Sequence, residues 1–205
     1  MKKSQLVALI CFGTALILLL TLLPLARAEN LYDSVIRIHV LANSDSPADQ
    51  EKKLLVRDEV LRYAKDHYNA KMTRGEAEEN YREDLDTIRR LAEEVLRENG
   101  DDKAVSVTLC EEYYPTREYE SLSLPAGNYL SLRVLIGEAK GKNWWCVLFP
   151  PICLNSSMKT EDALAEVGME EDNIYTVVGC GKEYRYRFKI LELWEEAKST
   201  ARSLF

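Results

Sequence analysis

The sequence predicts an α+β domain, an antiparallel or mixed sheet with helices packed on one face, preceded by a signal peptide. Three observations predict it. One strand pattern leads into two helical patterns, three more strand patterns follow, and an uncharged apolar run precedes them all.

That run, residues 6–23, follows Met1-Lys2-Lys3 and leads into Ala26-Arg27-Ala28. A basic start, an apolar middle and a small-x-small ending predict a secretory signal over residues 1–28, cleaved after Ala28. The run nearly suffices to span a bilayer, so an uncleaved anchor is the alternative. Both readings place residues 29–205 outside the cytosol as one domain. Residues 1–28 hold three cations (Lys2, Lys3, Arg27) and no acid, so without them the net charge falls from -7 to -10. So acidic a domain excludes nucleic acid as a partner, because phosphates select a basic face. It limits membrane contact to residues 6–23, and only if the signal is not cleaved.

Residues 34–41, SVIRIHVL, alternate Ile36, Ile38 and Val40 against Arg37 and His39, which predicts a strand with one apolar face. Asn43-Ser44-Asp45 ends it. Ser46, Pro47 and Asp49 then start a helix that runs to about residue 68, with Val56, Val60, Tyr63 and His67 on its apolar stripe and Leu55 beside them. On that stripe His67 reads as a packing residue. Thr73-Arg74-Gly75-Glu76 is a capping box, and Tyr81, Leu85, Ile88, Ala92 and Val95 form one unbroken stripe behind it, stopped by Asn99-Gly100. Residues 104–110 and 130–136 alternate as strands, joined through the aromatic-rich connection at 113–119. After a polar turn at 137–142, residues 144–149 are apolar on both faces, the pattern of a central or fully covered strand. Pro150-Pro151 ends it, since proline cannot donate to a ladder. Residues 155–181 are less regular, with a short helix at 158–168 and a short strand at 174–178. Ile190, Trp194, Ala197 and Ala201 mark a C-terminal helix.

The exported part carries four cysteines, Cys110, Cys146, Cys153 and Cys180, which allow three pairings. Cys146 and Cys153 flank the double proline, while Cys110 and Cys146 stand on strands that are candidates for neighbours. A Cys146–His39–Asp45 hydrolase arrangement can be drawn, but Cys146 lies within an apolar strand, where thiols are inert. The cysteines lack close pairs, the two histidines are not at ligand spacing, and no glycine-rich phosphate loop precedes a helix. No metal or cofactor is therefore expected.

RIHVLANSDSPADQEKKLLVRDEVL (37–61), YYPTREYESLSLPAGNYLSLRVLIGEAKGKNWWCVLFPPIC (113–153) and RFKILELWEE (187–196) closely resemble the stage II sporulation protein R family. The resemblance spans residues 32–194 and is least over 155–181. It implies a signalling protein of endospore-forming bacteria rather than an enzyme. Such a protein is made in the forespore and exported to the intermembrane space, secreted or membrane-anchored. There it activates a membrane-embedded aspartic protease that processes the sigma-E precursor. The alternative is an exported thiol-dependent cell-wall or peptide hydrolase using Cys146 or Cys153.

If the task is to switch on a partner, exposed residues without a packing role should carry it. Arg37, His39, Asn43, Asp45 and Arg57 surround the first strand and its exit. Tyr114, Arg117, Tyr119, Lys140, Lys142 and Asn143 come from the loops of the second motif. Arginine and aromatic side chains dominate contact energies at interfaces.

Overall fold

The computed structural model describes residues 5, 10–15, 32–68, 72–119 and 123–152. Six strands and three helices lie within 32–152: β1 (Ile36–Leu41), α1 (Pro47–His67), α2 (Arg74–Glu83), α3 (Leu85–Glu98), β2 (Val105–Tyr114), β3 (Arg117–Glu118), β4 (Ser123–Leu124), β5 (Gly127–Ile136) and β6 (Asn143–Phe149). The four long strands form one sheet in the order β2-β5-β1-β6. β1 runs parallel to β5 and antiparallel to β6, and β2 is antiparallel to β5, so the sheet is mixed. β3 and β4 make a separate two-stranded ribbon.

Side chains alternate across each strand, and the helices cover one face. Ile36, Ile38, Val40, Leu132, Val134, Ile136, Val105, Leu109, Cys146 and Leu148 share a core with Val56, Val60, Tyr63, Ala77, Tyr81, Ile88, Ala92 and Leu96. The other face has a smaller core of its own, made by Val35, Tyr114, Leu124, Tyr129 and Val147 with Tyr32, Tyr119, Trp145 and Ile152 packed against it. The first strand was expected to have one buried face. Both its faces are buried because two strands flank it and each face has a core.

Three expectations are corrected. The helix expected to run without interruption from Thr73 to Asn99 bends at Asp84 (φ -90°, ψ 1°), dividing α2 from α3. The hydrogen bonds Asp84 N→Asn80 O and Ile88 N→Asp84 O carry the chain through the bend. Tyr68 donates to Asp84 at 2.5 Å. Beyond it the stripe ends on buried Leu96, with Val95 only partly buried against the core. His67 is exposed rather than on the buried stripe: its ring stacks on Tyr63 at 4.0 Å, and its Nδ1 lies 2.9 Å from the Tyr63 carbonyl oxygen. Among the described residues β6 is an edge strand covered on both faces, the second of the two patterns expected for it. The connection at 113–119 contains β3, which the residue pattern alone did not suggest. Most of the apolar run at 6–23, the elements expected within 155–181 and the C-terminal helix lie outside the described residues. Among those described, no helix is long and apolar enough to cross a membrane.

Candidate functional site

The exit of β1 is a clamp. Asn43 Nδ2 donates to Asp49 at 2.8 Å, Ser44 Oγ donates to the same carboxylate oxygen at 2.5 Å, and Asn43 Oδ1 accepts from Glu138 N at 3.0 Å. Backbone bonds Lys140 N→Asn43 O and Gly141 N→Ala42 O tie the β5–β6 turn to the same place. Gly137 has φ +56°, and a Cβ at Gly141 would stand 2.3 Å from the Ser44 carbonyl oxygen, so the turn closes only with glycine at these positions. The hydrogen bonds from Asn43 and Ser44, more than the nearby Lys103, lower the Asp49 pKa from 3.8 to about 2. Asn43 therefore shapes the turn. Asp45 and Lys142 are exposed beside it.

The second face of the sheet holds the chemistry. Arg37 alternates to that side and is 0% exposed. Its guanidinium carbon lies 3.8 Å from the ring centre of Tyr114, 5.0 Å from Tyr129 and 6.0 Å from Tyr119. Nη2 donates to the Tyr119 hydroxyl at 2.5 Å, while Nε and Nη1 have no hydrogen-bond partner. A buried cation without a carboxylate is costly, and the π faces offset only part of that cost. The cage itself is satisfied: Tyr114 shares a 2.6 Å hydrogen bond with Ser131, and Tyr129 donates to the Pro125 carbonyl at 2.7 Å. Burial pushes both phenol pKa values up, which keeps these hydroxyls neutral.

His39, 5% exposed, lies two residues further along the same strand face. Its Nδ1 lies 2.9 Å from Glu112 Oε1, and its Nε2 lies 2.6 Å from Asn143 Oδ1. Arg133 Nε stands 3.4 Å from the same Glu112 oxygen. Burial raises the Glu112 pKa, but the hydrogen bond and charge of His39, with Arg133 and Ser131, outweigh that and lower it. Arg117 stacks over Trp145 with its guanidinium carbon 4.0 Å from the ring centre. Nε of Arg117 and of Arg133, and Oε2 of Glu112, are buried without hydrogen-bond partners.

Several expected site residues thus meet on one face: Arg37, His39, Tyr114, Arg117, Tyr119 and Asn143. Three of them correct the expectation that they are exposed. Arg37, His39 and Tyr114 are buried, because the ribbon, Tyr32, Tyr129 and Trp145 cover this side of the sheet. Arg57 is on the helical side, 5.2 Å from the Trp144 ring centre and paired with Asp58 at 2.6 Å. Glu112, Ser131, Arg133 and Trp145 were not foreseen as site residues. The signal for them was alternation: each occupies a position whose strand neighbours face the helices.

The thiols separate. Cys146 pairs in register with Ile38 and faces the helical core, away from His39, so no Cys146–His39–Asp45 triad forms. Cys146 is disulfide-bonded. Cys110 is free, which excludes a Cys110–Cys146 bridge. Cys153 and Cys180 lie outside the described residues. Among those described, no group of three or more His, Cys, Asp and Glu side chains is placed to hold a metal.

Fold and site together define an α+β module with a helix-backed mixed sheet and a cationic, aromatic second face. The family model for Stage II sporulation protein R (spore_II_R) matches residues 32–159. Stage II sporulation protein R of Bacillus subtilis (strain 168) is 34% identical over 167 residues, covering 75% of this chain and 71% of the relative. The chain belongs to the stage II sporulation protein R family. No solved structure matches it.

Proposed function

We propose that the protein is an exported, non-enzymatic signal of endospore formation. It leaves the forespore for the intermembrane space, with residues 1–28 as its signal peptide. There it activates a membrane-embedded aspartic protease, through that partner's exported face, to process the sigma-E precursor. The observation that carries this reading is the family match over residues 32–159.

The site chemistry supports a binding role. Both ring nitrogens of His39 face Glu112 and Asn143, so neither is directed at a thiol or hydroxyl that it could activate. An activator shifts its partner only through contacts that differ between the partner's states. Asp45, Lys142, Asn143, Arg117, Tyr119 and Arg57 are the exposed or half-buried groups available for such contacts. Buried Arg37, His39 and Tyr114 hold the surface beneath them in shape. In the rival reading, a thiol hydrolase, the disulfide occupies Cys146, so that residue has no free thiol to act as the nucleophile.

The test is reconstitution. The purified secreted protein is added to membranes that display the protease together with its precursor substrate. Processing should depend on the added protein and survive prior alkylation of its free thiols. Absence of processing at saturating protein would overturn the proposal, and loss on alkylation would transfer it to the thiol hydrolase.

A further inference from the structure

Of the six side chains in the described residues that leave a buried polar atom without a hydrogen-bond partner, four lie on the second face: Arg37, Arg117, Arg133 and Glu112 share it. Buried polar atoms in a folded protein are almost always satisfied, and this face departs from that rule. The charges are unequal as well. These four side chains are three guanidiniums and one carboxylate, Glu112, which stands beside Arg133 and His39, within a chain of net charge -7. Part of this face is open. Thr108 and Asn143 are exposed, and Trp145, Arg117 and Arg133 are half-buried, with the Arg133 side chain 34% exposed. In register, Arg133 stands opposite both Thr108 and His39, and His39 stands opposite Trp145, so these groups form one row across the four strands.

We infer that this row is a receptor for the carboxylate side chains of an acidic segment of the partner protein. Arg117 and Arg133 would pair with the acids, and the Trp145 ring would hold the segment between them. Arginine forks match carboxylates two bonds at a time, and their strength grows where water is excluded. Wholly buried Arg37 does not touch the segment. It adds positive field beneath the row, and Glu112 with His39 fixes the height of Arg133. A phosphate-bearing membrane surface is the weaker match, because lipid headgroups are held by clusters of about four to eight Lys/Arg and the row offers two open arginines.

The inference rests on the proposed activation of the protease, and the test separates the two. Arg117→Glu, Arg133→Gln and the combined variant are compared with wild type in the reconstituted membranes, with circular dichroism and thermal melting to confirm folding. If wild type triggers processing, the combined variant should lose it at least tenfold, and either single variant should lose part of it. Wild-type activity should also fall as salt rises. Folded variants that process as wild type would overturn the receptor and leave the function standing. Failure of wild type itself would overturn the function. A second arm measures binding to vesicles of phosphatidylglycerol without protein. Binding by wild type that the combined variant loses would reassign the row to lipid and overturn the inference.

Discussion

Arg37 is wholly buried with two of its guanidinium nitrogens unpartnered, so truncating it and neutralising it should differ in effect. Arg37→Ala opens a cavity among three tyrosines and should cost about 3 kcal/mol in urea unfolding. Arg37→Met keeps most of the volume and removes the desolvated charge, so it should unfold within about 1 kcal/mol of wild type or above it. Equal losses in the two variants would show that the cation itself stabilises its cage. Asp49 is the second residue with a clear outcome. Its folded pKa, about 2, lies below the ordinary 3.8, so its contribution is complete above about pH 4 and is lost as pH falls toward 2. Asp49→Asn should remove that part of the acid dependence of thermal stability between pH 4 and 2 while lowering stability at neutral pH. Both residues could be picked out in the sequence, Asp49 as a capping-box acid and Arg37 as a strand cation. What Arg37 would touch could not, because the Tyr114 and Tyr129 rings come from strands more than seventy residues away.

At the scale of the element, local signals marked the starts of helices better than their continuity. The Thr73 capping box forms as read: Glu76 N donates to Thr73 Oγ1 at 3.3 Å, and Thr73 N donates to Glu76 at 2.7 Å. Thr73→Ala should therefore cost about 1 kcal/mol, measured by chemical denaturation. The bend at Asp84 left no trace in the stripe, since Tyr81, Leu85 and Ile88 keep helical spacing across it. A tertiary contact, the Tyr68 hydroxyl on Asp84, accompanies the bend there. Strands were legible for the same reason as caps: a period of two follows from the pleat alone. Strand β3 was not, because two residues are too short to carry a period.

Over the whole molecule, the thiol states give a direct check. Alkylation under denaturing, non-reducing conditions should leave Cys146 unlabelled and label Cys110, and mass spectrometry resolves the two peptides. Reduction should lower stability by about 2 kcal/mol, because the bridge restricts the unfolded chain. The order of elements, the helix-facing residues and the resemblance carried by HVLANSDS and GKNWWCVLFPP were present in the sequence, since caps, periodicity and motif strings are local. The sheet order β2-β5-β1-β6 and the parallel pairing of β1 with β5 were not, because pairing joins segments far apart in the chain. That pairing decides what covers the second face. It turns Arg37, His39 and Tyr114 from an exposed platform into a buried one, and it gathers Glu112, Arg133 and Trp145 around them. Sequence alone determined which residues alternate together on each strand. Only the tertiary structure decided which alternating sets face each other and which of them meet water, because burial depends on what other segments pack there.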